Sequence, residues 1–333
     1  MIEQIERFGI GKRLVGFGAG LGLLQTEQTS PMKLAYVVDG TPGLAGSLIA
    51  GLPICSPDRL ASERDEVAVI IYANTPRAVA AISQQLSDLG YSLGENYIDS
   101  SLLHLKTIGA RLAALGLRPS RDRFNCCRAL SLYSVVPSMT QIAGTWLMVE
   151  LLEYCRLIPG AIAECGVYQG GNAFVVLNTS DFARQRSYHL LDSFAGFDEL
   201  SDRDPRQRAA DFRDVSFGQV RDVFTGFQNV NIHKGFFAET LPRMEECKYC
   251  LVYMDCDLYQ PTKELLEYFW SRISPGGCII LHDCWQPPVD APAHVSAAFT
   301  GALQAMQEFF PSDTEVLSFP ETTHALIFKR RSE

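Results

Sequence analysis

The chain has 333 residues, 47% hydrophobic and 20% charged, a globular composition long enough for two domains with a substantial core in each. Its formal charge of −9 argues against the basic surface that non-specific nucleic-acid binding needs. No apolar run approaches the ~20 residues of a membrane span, and "MIEQIERFGIGKR" has acids but no apolar core of a secretory signal. A cytoplasmic protein is expected, with neither a nucleic-acid nor a membrane partner. The ten cysteines are scattered, and Cys165, Cys256 and Cys278 sit in core-like stretches, as free thiols do in a reducing compartment. Cys247 and Cys250 in "CKYC" have zinc-like spacing, but no second such pair exists, so they read as a loop thiol beside a strand thiol.

In chain order, "RLVGFG" (13–18) predicts a strand running into a glycine turn. A short helix follows, then the strand "LAYVVD" ending at Asp39, the turn-rich "GTPGLAGS", and a third strand, "EVAVIIYA". In "TPRAVAAISQQLSDLG", Thr75 suits a helix cap, Pro76 its first turn and Gly90 its end. Strands alternating with helices predict a parallel sheet, hence a small Rossmann-like α/β domain over about residues 1–105. Gly16 and Gly18 fit the first two glycines of a dinucleotide fingerprint and Asp39 suits a ribose contact, but the third glycine position is Leu21. The fragment resembles small nucleotide- or sugar-nucleotide-binding domains fused to acyl- and methyltransferases. The imperfect fingerprint favours a docking or dimerisation module over a true NAD site.

Residues 106–150 read as a mainly helical connector with a break at "RPSRDR". From there a second alternation runs to 333. "AIAECGVYQGGNAFVVL" is strand, glycine turn and helix; "SYHLLDSFAGF" holds a strand ending at Asp192; "VNIHKGFF" holds one ending near Lys234; "YCLVYMDCD" is the fourth. "CIILHDC" is a fifth strand after the turn "SPGG", and "EVLSF", "PETT" and "HALIFKR" predict a terminal hairpin. In "APAHVSAAFTGALQAMQEFF", Val295, Phe299, Ala302, Met306 and Phe310 fall on one helical face.

Five strand–helix units closed by a hairpin resemble the seven-stranded sheet of class I S-adenosylmethionine methyltransferases. "AECGVYQGGNA", "LLDSFAGF", "KGFFAETLP", "MDCDLYQPT" and "ISPGGCIILHDC", in this order, resemble the macrocin O-methyltransferase family over about residues 130–333. That family methylates sugar hydroxyls on natural products. The resemblance implies S-adenosylmethionine as cofactor and a small-molecule or glycosylated acceptor; a homo-oligomer is also expected. Gly166, Gly170 and Gly171 would admit the cofactor at a helix start. Glu164 would accept from its cationic amino-acid end, and Asp192, with Ser193 beside it, from its ribose. Gly235 and Phe236 would meet the adenine. "LYSVVPSMT" matches a family segment that lines the cofactor, so Tyr133 and Ser134 are candidates.

The resemblance further implies a divalent metal, with Asp255 as the first ligand and Asp283 as the last. Between them stands His282, where many relatives have aspartate. Oxygen-only ligation favours Mg²⁺, whereas an imidazole tilts a site towards Mn²⁺, Fe²⁺ or Zn²⁺. His282 is thus a ligand or a base, and a metal-free site stays open. Asp257 either orients the ligands, holds the turn or caps the helix that follows. Some relatives take their base from a histidine in the loop after "DSF", but "DELSDRDPRQRAADFRDVSFGQ" contains none, leaving Asp255, His282 or a residue still to be found. That loop's mixed charges fit either a lid or a plain surface loop. His104, His189, His233, His294 and His324 match no catalytic position. The alternative to an enzyme is a catalytically impaired binding or regulatory protein whose first domain recognises a nucleotide-sugar or a protein partner.

Overall fold

The computed structural model describes residues 8–29, 32–73, 76–118, 129, 132–133, 135–197, 200–204, 212–286 and 300–330. Among the described residues the chain divides into two compact units, the first comprising those up to Gly116 together with Gln286, the second those from Leu117 to Trp285 and from Thr300 onward.

The first unit is built on β1 (Arg13–Phe17), β2 (Leu34–Val38), β3 (Leu48–Ile49), β4 (Leu52–Cys55), β5 (Val67–Ile71) and β6 (Tyr97–Asp99), in sheet order β3-β4-β2-β1-β5-β6. All neighbours are parallel except β3 and β4. Helices α1 (Leu21–Thr29), α2 (Pro76–Asp88) and α3 (Ser101–Ala114) alternate with the strands. β5, "VAVII", is buried at every position, as a central parallel strand covered on both faces must be. Val15, Val38, Val69 and Leu86 form one core cluster, and Leu24, Val37, Ile70 and Ile98 another. The expected parallel sheet is present, with two corrections. After the turn-rich stretch come two strands that the sequence did not announce, β3 and β4, joined by a two-residue turn in which Ala50 and Gly51 both have positive φ, the hairpin geometry that matches strand twist. The division drawn at residue 105 falls inside α3, because Ile108 and Leu112 are fully buried and continue the packed helix.

At the glycine turn after β1, Asp39 is already engaged. Its Oδ2 accepts from the Ala19 amide at 2.7 Å and its Oδ1 from the Thr41 amide at 2.8 Å. The acid that a ribose contact would use therefore ties its own turn together.

The second unit carries β7 (Ala161–Cys165), β8 (Tyr188–Asp192), β9 (Val230–Lys234), β10 (Tyr249–Met254), β11 (Ile273–Leu281), β12 (Leu317–Phe319) and β13 (His324–Phe328). The sheet order is β12-β13-β11-β10-β7-β8-β9. Strands β7 to β11 are mutually parallel, and β13 and β12 return antiparallel. This is the predicted Rossmann-like seven-stranded architecture. The chain winds outward from β7 through β8 to β9, then crosses back to β10 and winds the other way. The carboxyl ends of β7 and β10 thus flank the point where an open α/β sheet presents its ligand crevice.

The helices are α4 (Ile142–Tyr154), α5 (Gly171–Thr179), α6 (Asp181–Gln185), α7 (Phe217–Phe224), α8 (Phe237–Thr240), α9 (Tyr259–Phe269) and α10 (Gly301–Phe309). The division drawn at residue 150 falls inside α4, which is buried from Ile142 to Leu152 and so belongs to the core rather than to a connector. "SPGG", expected as a turn, is part of β11. The pairing is irregular there, and a Cβ on Gly277 would stand 2.7 Å from the Cys250 carbonyl oxygen, so the glycine lets β11 lie against β10. On the last predicted helix, Ala302, Met306 and Phe310 are buried as expected, whereas Val295 and Phe299 lie outside the described residues. The break expected at 118–123 likewise falls largely outside them.

Candidate active site

Every strand that supplies a candidate residue ends at the same edge of the second sheet. β8 ends on Asp192, β10 is followed by Asp255 and β11 by His282 and Asp283. Backbone bonds hold these ends level: Asp255 N donates to Cys165 O at 2.8 Å, Gly166 N to Leu191 O at 2.9 Å and His282 N to Met254 O at 2.9 Å.

Asp192 organises the turn after β7. Its Oδ2 accepts from the amides of Val167 and Tyr168, both at 2.8 Å, and its Oδ1 from Phe194 N at 2.6 Å. Burial raises its pKa, and the three amides pull against that rise. A carboxylate offers about four acceptor positions, so one remains for a further donor. Ser193 is occupied locally, donating to Gly196 O and accepting from Ala195 N. Gly235 N donates to Asp192 O at 3.0 Å, which puts Gly235 and Phe236 beside the acid. The sequence expectation that these four residues group together agrees with this geometry.

The three glycines also have close neighbours within the protein. Gly166 has φ +87°, and a Cβ there would stand 1.8 Å from the Asp255 carbonyl oxygen. The Cβ position of Gly170 is 2.8 Å from the Phe224 ring and that of Gly171 is 2.3 Å from Pro137 O. A side chain at any of the three would collide with the protein's own backbone or rings.

Glu164 is 1% exposed, and its Oε2 accepts from Tyr188 Oη at 2.9 Å. Burial pushes its carboxyl up to about 8, against hydrogen bonds from Tyr188 and Asn172 that favour the charged form. It lies in the interior at the end of β7, the strand end where the sequence expectation placed an acceptor for the cofactor's cationic end. Tyr133 is also interior. Its hydroxyl bonds Thr145 Oγ1, which donates to Asn172 Oδ1 at 2.7 Å. Burial raises the Tyr133 pKa, so it remains a phenol. Ser134 lies outside the described residues.

Asp255, His282 and Asp283 come together as expected, with one ligand atom from each all within 4.8 Å of one another. His282 Nδ1 is 2.7 Å from Asp255 Oδ1 and 3.3 Å from Asp283 Oδ2. Neither approach has hydrogen-bond geometry, so Nδ1 and Asp283 Oδ2 are buried polar atoms without an aligned partner. A cation placed between them would satisfy the atoms left without an aligned partner. For an ion bound at about 2.1 Å, adjacent octahedral ligands lie about 3 Å apart, close to the two separations here. The residues therefore fit a divalent cation with mixed oxygen and nitrogen donors. Burial opposes charge on His282, but the adjacent Asp255 and Asp283 carboxylates prevail and raise its pKa well above the usual histidine value. The imidazolium thus puts positive charge where the cation would.

Asp257 resolves differently from a helix cap. Leu258 occupies the position before α9, and the amide of Tyr259 is capped from a distance by Asp204 Oδ1 at 3.0 Å. Asp257 has φ +64° and belongs to the acid cluster: burial first, then the charges of Asp283 and Asp255, raise its carboxyl well above the ordinary range. Asp204 itself is 3% exposed and also accepts from Ser201 Oγ at 2.6 Å, so it anchors the beginning of the loop after "DSF". Sequence reasoning missed Asp204, Thr145, Asn172 and Tyr253, and it set His324 aside. Among the described residues, His104, His189 and His233 touch none of the three converging side chains: His104 bonds Thr26, and His189 and His233 stack on each other.

Residues 152–297 match the family model described as macrocin-O-methyltransferase (TylF). Over 155 residues the chain is 31% identical to an 8-demethyl-8-(2,3-dimethoxy-alpha-L-rhamnosyl)-tetracenomycin-C 4'-O-methyltransferase of Streptomyces olivaceus, covering 40% of this chain and 59% of that protein. It is 27% identical over 154 residues to a mycinamicin III 3''-O-methyltransferase of Micromonospora griseorubida, covering 41% of this chain and 60% of that protein. The matched region thus spans about three fifths of the length of these relatives. Among solved structures, the O-methyltransferase NovP aligns at TM-score 0.43 and 20% identity, covering 69% of this chain and 100% of that one. The calicheamicin methyltransferase CalS11 aligns at TM-score 0.46 and 21% identity, covering 61% and 90%. No described helix is long and apolar enough to cross a membrane. Over residues 152–297 the chain is thus similar to the macrocin O-methyltransferase family.

Proposed function

We propose that this chain is an S-adenosylmethionine-dependent O-methyltransferase, assisted by Mg²⁺ or Mn²⁺, acting on a hydroxyl of a natural product or glycoconjugate, with a sugar hydroxyl as the favoured acceptor. The observation that carries the reading is the convergence of Asp255, His282 and Asp283 at the switch point of a seven-stranded sheet, within the stretch that matches the family. The first two curated relatives are named as sugar O-methyltransferases, which supports the acceptor class.

Asp192 would take the cofactor ribose with its remaining acceptor position while its other bonds hold the glycine turn rigid. Phe236 would supply an apolar wall for the adenine. The methyl group passes from the sulfonium to the acceptor oxygen, and the hydroxyl proton must leave to a base. When bound, a divalent cation would supply Lewis acidity that lowers the pKa of the acceptor hydroxyl. Asp255 and Asp283 would hold it through oxygen and His282 through Nδ1. Asp255, whose Oδ1 lies beside His282, or His282 itself would take the departing proton.

The imidazolium that stands between the two acids supports a second reading, in which the site works without metal and His282 supplies the positive charge. Calorimetry with S-adenosylmethionine and with Mn²⁺, followed by transfer of labelled methyl to a glycosylated acceptor, separates the two. The metal-assisted reading expects excess EDTA to abolish transfer while cofactor binding persists, with Asp283→Asn behaving like the chelated protein. Full transfer in EDTA would overturn it. Absence of cofactor binding would overturn the enzyme reading altogether and leave a binding protein.

A further inference from the structure

Asp255 is held from behind. Its Oδ1 faces His282, whereas its Oδ2 accepts from Tyr253 Oη at 3.2 Å, with the Thr140 hydroxyl more distant at 3.5 Å. Tyr253 Oη in turn lies 3.1 Å from His324 Nε2 on the terminal strand. Both side chains are about 1% exposed, so neither can exchange its partner for water. A phenol has one proton. Because an ionised carboxylate can only accept, that proton goes to Asp255, and Tyr253 Oη accepts from His324 Nε2–H.

Room for this arrangement is built into the opposite wall. Gly144 sits in the first turn of α4, and a Cβ there would stand 2.8 Å from His324 Cε1. Glycine lowers helix stability relative to alanine, so its occurrence opposite the imidazole has a reason in packing. The His324 ring is also tilted against that of His282, with centroids 4.7 Å apart.

We infer that Tyr253 and His324 are positioning residues: they clamp one oxygen of Asp255 so that the other is presented to the cation alongside His282 and Asp283. This rests on the metal-assisted reading above. Such outer partners fix the orientation of a ligand and raise its affinity for the ion, and their removal typically costs 10- to 100-fold in metal affinity.

The test is Mn²⁺ binding to the full chain, read by calorimetry and by the electron paramagnetic resonance of bound Mn²⁺, with S-adenosylmethionine affinity measured in parallel. Tyr253→Phe is expected to weaken Mn²⁺ binding by about 10- to 100-fold and to broaden the bound-ion spectrum, with cofactor affinity unchanged. His324→Leu keeps the volume but removes the donor and should weaken Mn²⁺ in the same direction. His324→Gln should restore binding, because the glutamine amide can donate from near the position of Nε2. That pair also carries the test if Tyr253→Phe does not fold. Wild-type Mn²⁺ affinity in both Tyr253→Phe and His324→Leu would overturn the clamp while sparing the metal site. A wild-type chain that binds no Mn²⁺ would overturn the metal-assisted reading and the clamp with it.

Discussion

Replacing Glu164 by glutamine should flatten the pH dependence of the second unit's stability. Glu164 takes up its charge near pH 8 in the fold, against 4.5 for a free carboxyl, because it is buried in the sheet with Tyr188 and Asn172 as its donors. Between these two pH values the native state holds a proton that the unfolded chain has released, so raising the pH favours unfolding. Stability is fully present below 4.5, is lost through the window, and levels off above about 8. At about 1.4 kcal/mol per pH unit the full penalty is about 5 kcal/mol, of which about 3 kcal/mol accrues between pH 5 and 8. Glutamine is neutral throughout and can still accept from Tyr188, so Glu164→Gln should lose about 3 kcal/mol less than wild type over that range. Urea unfolding followed by tryptophan fluorescence is the suitable assay, because Trp146, Trp270 and Trp285 all lie in the second unit. Comparison of the two proteins cancels the other titrating groups. Parallel pH curves for wild type and Glu164→Gln would refute the argument and mean that Glu164 is already ionised within the fold.

Asp192→Asn should lower S-adenosylmethionine affinity about tenfold and cost about 2 kcal/mol of stability, since one amide oxygen cannot replace two carboxylate oxygens serving three N–H groups; unchanged calorimetric affinity would remove it from the cofactor site. Gly166→Ala adds a Cβ 1.8 Å from the Asp255 carbonyl oxygen and should cost more than about 3 kcal/mol; a wild-type melting midpoint would show that the turn can yield. Asp204→Ala should cost about 1–2 kcal/mol through the lost cap on Tyr259 N, whereas Asp204→Asn, which keeps an acceptor oxygen, should cost less in the same melting experiment.

Much of this site could be read from the chain because it sits where apolar strands stop. "AIAEC" and "YCLVYM" are buried at every position, and residues after such runs fall at the carboxyl edge of a parallel sheet. Asp192, Asp255 and Asp283 were therefore legible as a group. What escaped depends on atoms far apart in sequence. Asp204 caps a helix 55 positions later, and Tyr253 meets His324 across 71 positions. No local pattern announces either partnership. The glycines were legible as glycines, but which protein atom each makes way for is a tertiary fact: Gly166 lies against the Asp255 carbonyl. Ala50 in a positive-φ hairpin position concealed β3 for the opposite reason, since alanine there lacks the usual glycine or asparagine signal.

Asp257 and Asp283 both adopt left-handed backbone conformations, at φ +64° and +54°, within a cluster of mutually repelling carboxyls. Each such conformation costs on the order of 1 kcal/mol in a non-glycine residue, and like charges add to it. The fold is thus working against itself here. A population selected only for thermal endurance would be expected to discard these acids early, with Asp257→Gly among the first gains. Their retention under such selection would measure how strongly the site's chemistry is being kept.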